Sequence, residues 1–472
     1  MRTQRAQTVQ GWAYEEFGDA ELGDSRREDR LLRMAAEAAT RPAGRVSEVF
    51  QIAAERQGAY DLLENEDVQC DALAKAMFRA AARRASGEYA FVAVDGSSLT
   101  LTDRQRAKDF GGIGATEYGA RGLKVISAYA LDRKGIPLGL LDQQWWARPP
   151  HKRRSDHQKR PLQEKETQHW VSCIRGASAQ LTAQSKVRPW FVIDREGDCL
   201  DLLNALEECR ALFTIRSRHN RRLEAPRGQR LYLVQELRTQ PAVGLHWVQV
   251  PGGHGRTERK ACLEVRVART TLRLRDRITE RVSHFEVGCV EAREVGTVPT
   301  GEKPLEWRLL TNAPLASLQD ACNVIFSYAQ RWKIEYFHRV WKSGACNIER
   351  CQLRRKNHVV KWATIMAAVA ARIERLKLRA RSEPELPADC ELGEYEIYAI
   401  IVLKRRQKKR TETIPDDMPN LAQAVLWLAE LGGYTGKSSG GPPGSITIRR
   451  GLEFIAPAVA AIKELDAMGK LG

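Results

Sequence analysis

Two short apolar runs, each followed by an aspartate, constrain the fold of this chain most strongly. Residues 91–94 lead into Asp95, and residues 190–193 lead into Asp194. Short runs rich in β-branched and aromatic residues are typical of strands that are buried on both faces. We therefore predict a sheet covered by helices, in which two buried strands each end abruptly in a carboxylate.

A third acidic residue, Glu335, falls in a segment with helical spacing. On an α-helix, the polar side chains that fall within roughly 80° of one face are Tyr328, Arg331, Glu335, Arg339 and Lys342. The apolar residues of the segment lie on the opposite side, where they can pack against a core. A single carboxylate among cations suits a metal ligand surrounded by phosphate-binding groups. An exposed amphipathic helix with a Glu335–Arg339 pair is the alternative.

The charge of the chain points to a polyanionic partner. The 472 residues include 76 Lys and Arg against 59 Asp and Glu, which gives a net charge of +17. Nucleic acid is the commonest such partner, and a membrane surface is the other. The longest apolar run, residues 362–371, is too short to cross a bilayer, so we expect no membrane association. Ten cysteines without a CxxC pair and the lack of an apolar leader suit a cytoplasmic protein.

Pattern and length divide the chain into three predicted regions. Residues 1–73 and 373–472 are predicted to be helical domains, and residues 74–372 to be an α/β domain with a mixed sheet. An all-β insertion is predicted at about 217–306. Its expected strands are residues 231–237, 245–250, 261–274 and 284–290.

The order of the predicted elements brings the two aspartates together. The Asp95 strand is followed by two β-rich runs, residues 124–131 and 136–145, which predicts an antiparallel meander. A helix at about 163–184 then crosses over to the Asp194 strand, and a second crossover leads to a strand at 211–216, which indicates parallel pairing. Side by side, the strands would place Asp95 close to Asp194.

Three carboxylates in this arrangement can support phosphoryl transfer. Mg2+ prefers oxygen ligands and accepts few protein carboxylates. Two such ions can activate a water or a 3′-hydroxyl and stabilise the leaving oxygen of a phosphodiester, so no histidine base is required. In the N-terminal region, Asp24 is a predicted helix cap, and the basic helix that follows could lie along a DNA backbone.

These motifs resemble those of the cut-and-paste DDE transposases of bacterial insertion sequences, and in particular the transposon five type. The matching residues are 22–24 with 26–27, 57–60, 95 with 97–99, 145–146 with 148–149, 194–196 with 198, 307 with 309–311, and the signature Y-x2-R-x3-E-x6-K at 328–342. The resemblance runs along nearly the whole chain. Arg339 departs from it, because the family typically has Lys at this position.

The resemblance implies a fold, a reaction and a set of site residues. The fold would be an RNase H-like core with a β-strand insertion, flanked by an N-terminal end-binding domain and a C-terminal dimerisation domain. Asp95, Asp194 and Glu335 would bind two Mg2+ ions, for which Mn2+ can substitute. A homodimer would bind the inverted-repeat ends of double-stranded DNA in a synaptic complex, cut them through a hairpin intermediate and join the 3′ ends to target DNA.

The same resemblance assigns roles to residues around the acids. Tyr328, Arg331 and Lys342 are expected to grip phosphates near the cut, and Trp307 to stack on a flipped base. The full set of expected DNA-binding residues is Tyr328, Arg331, Arg339, Lys342, Trp307, Arg216, Arg26, Arg27 and Arg30. Two alternatives stay open: a transposase-derived DNA-binding inhibitor, and an RNase H-like nuclease without strand transfer.

Overall fold

A computed structural model describes residues 8–114, 119–149, 160–250, 252, 257–408, 414, 417–436 and 441–469. Its strands are β1 (Tyr89–Thr100), β2 (Gly111–Gly112), β3 (Arg121–Leu131), β4 (Pro137–Trp146), β5 (Arg188–Ile193), β6 (Leu212–Arg216), β7 (Ala242–Val250), β8 (Arg259–Arg275), β9 (Val282–Val295) and β10 (Glu306–Thr311). Its helices are α1 (Val9–Phe17), α2 (Ser25–Thr40), α3 (Val46–Val49), α4 (Ala53–Glu64), α5 (Cys70–Arg83), α6 (Thr167–Gln184), α7 (Leu200–Glu208), α8 (Leu233–Thr239), α9 (Leu318–Gln330), α10 (Trp332–Lys342), α11 (Lys356–Ser382), α12 (Glu394–Gln407), α13 (Leu421–Leu431) and α14 (Ser445–Ala467).

The strands of the described residues form one mixed sheet. Their order is β2-β3-β1-β5-β6-β10-β9-β8-β7, with β4 paired to β3. The predicted meander is confirmed, because β3 pairs antiparallel with β1 on one edge and with β4 on the other. The predicted crossovers are confirmed as well, since β1, β5 and β6 are parallel and are joined through α6 and α7. The Asp95 and Asp194 strands are therefore direct neighbours.

Residue alternation along the central strands separates two hydrophobic cores. Phe91 and Ala93 of β1, with Trp190 and Val192 of β5, belong to the core that includes α9, α10 and α11. The residues between them face the other core, which includes α6 and α7. Because successive side chains of a strand point to opposite faces, the next position in the first series is Asp95 on β1 and Asp194 after β5. Both aspartates thus belong to the face covered by α10.

The insertion extends the central sheet instead of forming a separate layer. Strands β7, β8 and β9 continue from β10 as antiparallel neighbours. The prediction of an all-β insertion is wrong at residues 231–237, where the structure has helix α8 (Leu233–Thr239). Leu233 and Leu237 are four residues apart and are both buried, so one helical turn satisfies this short apolar pattern as well as a strand does.

Helices flank the sheet at both ends of the chain, as predicted. Asp24 caps α2 by accepting a hydrogen bond from the Arg26 N–H at 2.9 Å. The 27-residue α11 runs without a break from the sheet into the C-terminal helices. There Arg372 forms a buried ion pair with Glu396 of α12 at 2.8 Å. None of the helices in the described ranges is long and apolar enough to cross a membrane.

Candidate active site

Asp95 lies at the point where β1 loses its parallel partner. The β1–β5 pairing ends at Val94 and Ile193, one residue before each aspartate. The prediction that the first strand ends at its carboxylate is wrong, because β1 continues to Thr100. Beyond Asp95 it stays paired with β3 on its other edge, which supplies the hydrogen bonds that β5 no longer provides. Asp95 accepts a 2.9 Å hydrogen bond from the Gly96 N–H.

Asp194 ends β5 as predicted and opens a tight turn. Its Oδ1 accepts a 2.8 Å hydrogen bond from the Glu196 N–H, which caps the short 3-10 helix that follows. Nearby Asp198 has a structural task that its sequence context did not reveal. Its buried carboxylate accepts hydrogen bonds from the Arg218 N–H at 2.7 Å and from Arg221 Nε at 2.8 Å. The turn after β5 is thereby fastened to the segment after β6.

Glu335 lies in the first turn of α10, one turn after Arg331. The prediction of one continuous helix over 328–342 is wrong at Arg331, where α9 ends and α10 begins. The Arg331 N–H donates to the Tyr328 carbonyl, and the Ile334 N–H donates to the Arg331 carbonyl. These three-residue bonds tighten the backbone as in a 3-10 turn. No Pro or Gly marks the junction in the sequence.

Arg331 connects the helix junction to the acids. Its Nη2 donates a 2.7 Å hydrogen bond to Glu335 Oε1, and only 7% of its side chain is exposed. Burial disfavours its charged form, but the pKa of Arg331 is nevertheless raised, because Tyr328, Glu335 and Asp95 stabilise the cation. Arg331 is therefore a permanent positive charge within electrostatic range of two of the three acids.

The three predicted acids lie in one electrostatic environment. Burial is the main reason why the pKa of Asp95 is raised, to about 7. The negative charges of Asp194 and Glu335 raise this pKa further, while Arg331 lowers it. Burial and the charge of Asp194 also raise the pKa of Glu196. Negative charge is thus concentrated at the end of the β1–β5 pairing, where a bound cation would be stabilised.

The carboxylates are not arranged around a common metal position. Within the described residues, no three His, Cys, Asp or Glu side chains form a group that could hold a metal ion. One Glu335 oxygen is bonded to Arg331, and one Asp194 oxygen caps the following turn. The residue types nevertheless fit a hard divalent cation, which prefers carboxylate oxygens.

Two predicted DNA-binding residues lie beside the Arg331 junction. The ring of Trp307, in β10, packs edge-on against the ring of buried Tyr328, with 5.5 Å between the ring centroids. The Arg331 guanidinium lies 5.9 Å from the Tyr328 ring centroid. Trp332 was not among the predicted DNA-binding residues. It is 45% exposed, and its ring centroid lies 4.7 Å from the same guanidinium. An aromatic residue on the polar side of the helix could have revealed it.

The other predicted DNA-binding residues differ in whether a nearby carboxylate neutralises their positive charge. Arg339 is exposed, whereas Lys342 lies 3.7 Å from Glu349. Arg216 ends β6 and donates a hydrogen bond to the Glu306 carbonyl at 3.1 Å. In α2 each predicted arginine is paired with a carboxylate. These pairs are Arg26–Asp24 at 2.8 Å, Arg27–Asp67 at 2.6 Å and Arg30–Glu55 at 2.6 Å.

Three models of known protein families match parts of this chain. Residues 9–68 match the family model described as Transposase DNA-binding, and residues 140–371 match the Transposase DDE domain. Residues 368–468 match the Transposase Tn5 dimerisation domain. The chain belongs to the Tn5-like DDE transposases. Its mixed sheet with helical flanking regions is the predicted RNase H-like architecture.

The family assignment extends to the chemistry at a general level. This transposase is a DNA-binding, dimerising enzyme that cuts and joins DNA, and its DDE domain implies dependence on a divalent metal. The matched DDE range contains Asp194 and Glu335 but begins after Asp95. The place of Asp95 in the site therefore depends on its register beside β5 and on its electrostatic contact with the other two acids.

Proposed function

We propose that the transposase binds the inverted-repeat ends of its element as a synaptic dimer, cuts them through a hairpin intermediate and joins their 3′ ends to target DNA. Asp95, Asp194 and Glu335 are the proposed catalytic residues. The observation that carries the proposal is the convergence of three acids at the end of the β1–β5 pairing, beneath the cationic start of α10. A binding protein without catalysis has no need for this costly concentration of charge.

The three acids are the proposed ligands of two Mg2+ ions, for which Mn2+ would substitute. When bound, the ions would activate the attacking oxygen and stabilise the leaving oxygen of the phosphodiester. Glu335 would exchange its bond to Arg331 for a metal contact. Arg331 would then be free to hold a phosphate oxygen, since its guanidinium offers several donors in a fixed plane.

Side chains around the acids would position the DNA. We assign phosphate contacts near the cut to Tyr328, Arg331, Arg339 and Lys342, which lie along the junction and α10. Arg216, at the end of β6, would contact the DNA backbone farther along the duplex. Trp307 would stack on a base that leaves the duplex when the hairpin forms, supported by the ring of Tyr328. These groups act by orientation and charge, which is most of what phosphoryl transfer requires.

Each of the three regions has its own proposed role. Residues 1–73 would recognise the ends, and Arg26, Arg27 and Arg30 of α2 would exchange their carboxylate partners for DNA phosphates. Residues 74–372 would carry out the chemistry, with the insertion at about 217–306, and residues 373–472 would hold the dimer together. Because the substrate is DNA, we expect the transposase to act on the bacterial nucleoid in the cytoplasm.

One assay separates this function from its alternatives. Full-length protein is incubated with Mg2+, a duplex carrying the inverted repeats that flank its gene, and a target plasmid. We expect end binding, cleavage with a hairpin product, and joining to the plasmid. Binding without cleavage would instead identify a transposase-derived inhibitor, and cleavage without joining would identify an RNase H-like nuclease.

A further inference from the structure

Four cations from two neighbouring helices lie within electrostatic range of one another. Lys333 and Arg339 belong to α10, and Lys377 and Arg381 belong to α11; we call them the α10–α11 basic cluster. On α10, Arg339 lies one helical turn after Glu335. Of the four, only Arg339 was among the predicted DNA-binding residues.

An aromatic ring connects the two helices of the cluster. The Tyr336 ring centroid lies 5.8 Å from the Arg339 guanidinium and 5.9 Å from Lys377 Nζ. On the side of α14, Lys377 contacts Glu374 and donates a 3.0 Å hydrogen bond to Ser445 Oγ. Arg381 donates a 2.7 Å hydrogen bond to the Pro443 carbonyl. Lys377 and Arg381 therefore contact the start of α14 or the residues just before it, and Tyr336 connects Arg339 to Lys377.

The cluster carries more positive charge than its surroundings neutralise. Glu374, which is 1% exposed, forms its ion pair with Lys377. Across the ranges that the structure describes, neither Lys333 nor Arg339 forms an ion pair with a carboxylate. Arg339 and Arg381 are exposed, and Lys333 is half-buried, so a ligand can reach them.

The electrostatic environment is consistent with this excess. Burial is the main cause that lowers the pKa of Lys377, and the positive charges of Arg381 and Arg339 lower it further against the effect of Glu374. Lys333 lies within electrostatic range of both Lys377 and Arg381. Mutual repulsion of this kind is relieved when a polyanion binds.

We propose that the α10–α11 basic cluster binds the phosphate backbone of a DNA segment adjoining the scissile phosphate, with Lys333, Arg339 and Arg381 as its contacting residues. The inference rests on the proposed function and adds Lys333 and Arg381 to its DNA-binding surface. A purely structural role explains Lys377 and the Pro443 bond of Arg381, but within the described residues it leaves Lys333 and Arg339 without a carboxylate partner. The segment is either transposon-end DNA or target DNA, because both present the same phosphates.

The salt dependence of DNA binding tests the proposal directly. We compare wild-type protein with K333Q/R381Q, using a duplex of unrelated sequence at several salt concentrations. Each lost phosphate contact reduces the slope of log affinity against log salt by about 0.9. The charge-preserving variant K333R/R381K should keep the wild-type slope. R175Q is the matched control, because Arg175 is an exposed cation of the opposite sheet face, paired with Glu208 at 2.6 Å.

Separate measurements of cutting and joining identify the DNA. Loss of joining with retained cutting in K333Q/R381Q assigns the cluster to target DNA, and loss of both assigns it to end DNA. A slope for K333Q/R381Q equal to that of R175Q overturns the proposal. So does an equal loss in K333R/R381K, which would mark the two residues as structural. If wild-type protein binds duplex DNA but never cuts its own ends, the proposed function fails while the slope test still decides the cluster.

Discussion

Arg331 donates a 2.7 Å hydrogen bond to Glu335, so the cation at the helix junction neutralises the acid that follows one turn later. The same guanidinium lowers the otherwise raised pKa of Asp95. In a site without a metal, Arg331 therefore takes part of the role that a divalent cation would have. This relationship explains how three carboxylates can lie near one another in a folded protein.

Replacement of Arg331 by Ala should make the thermal stability of the protein depend on divalent metal ions. The variant leaves Asp95 and Glu335 without their shared counter-charge, so we expect a lower melting temperature than wild type in EDTA. Added Mg2+ or Mn2+ should stabilise R331A more than wild type, because the ions restore the missing positive charge. Melting curves with and without metal check this. An equal metal-induced shift in both proteins would contradict the electrostatic role assigned to Arg331.

Replacement of Trp332 by Ala should impair a late step of the reaction. Trp332 is 45% exposed and lies against the Arg331 guanidinium, so its ring is available to a DNA base. Stacking of a base on an aromatic ring contributes about 1–3 kcal/mol. We expect hairpin formation to slow by roughly tenfold or more while the first nick is retained, and W332F to restore most of the loss. Equal slowing of nicking and hairpin formation would argue against stacking.

Asp142, in β4, should make stability depend on pH. Burial raises its pKa to about 7, and no cation offsets this effect. Because the folded state binds the proton more tightly than the unfolded chain, stability falls as pH rises from about 4 to 7 and stays reduced above 7. The shift corresponds to at most about 4 kcal/mol, so D142N should be more stable than wild type by at least about 1 kcal/mol at pH 8.

Urea unfolding of D142N and wild type at pH 8 and near pH 4 measures this difference. The advantage of D142N should shrink towards zero near pH 4, where the Asp142 carboxyl is protonated in the folded state and about half protonated in the unfolded chain. An advantage that is the same at both pH values would show that packing, not ionisation, is responsible.

The buried Arg372–Glu396 pair should be essential for the attachment of the C-terminal helices. Both side chains are at most 4% exposed, and Glu396 also accepts a 2.8 Å hydrogen bond from the Gly393 N–H. Removing one partner of a buried pair leaves the other charge uncompensated, so E396A should lose about 3–5 kcal/mol of stability. Chemical denaturation measures the loss. E453A, which breaks the more exposed α14 pair with Arg449 at 2.9 Å, is the control and should cost less than about 1 kcal/mol.

The buried centre of the fold was predictable because its pattern was unambiguous. Residues 91–94 and 190–193 are apolar and are each followed by an aspartate, so both were recognised as neighbouring strands, and their register confirmed this. Residues 231–237 form a short segment whose apolar residues fit both the two-residue repeat of a strand and the four-residue spacing of a helical turn. Only the setting beside the sheet determines that this segment forms helix α8.

The site was predictable in its acids but not in its internal contacts. Glu335 was identified by its cationic setting, yet the break at Arg331 depends on two backbone bonds that no local residue type signals. Asp198 carries the same kind of charge as Asp194, and only its burial against Arg221 reveals a structural role. Partners distant in sequence decide such cases, so they require the folded chain.

Cleavage by three single variants tests the central claim, that Asp95, Asp194 and Glu335 form one metal-dependent active site. Initial rates of Mg2+-dependent cleavage of end-carrying duplex are measured for D95N, D194N, E335Q and wild type. D142N is the matched control, because it removes another buried carboxyl with a raised pKa from the same sheet. We predict that each of the three variants binds the ends but loses cleavage by at least about a thousandfold, while D142N cleaves like wild type. Cleavage near the wild-type rate by any of the three would contradict the account.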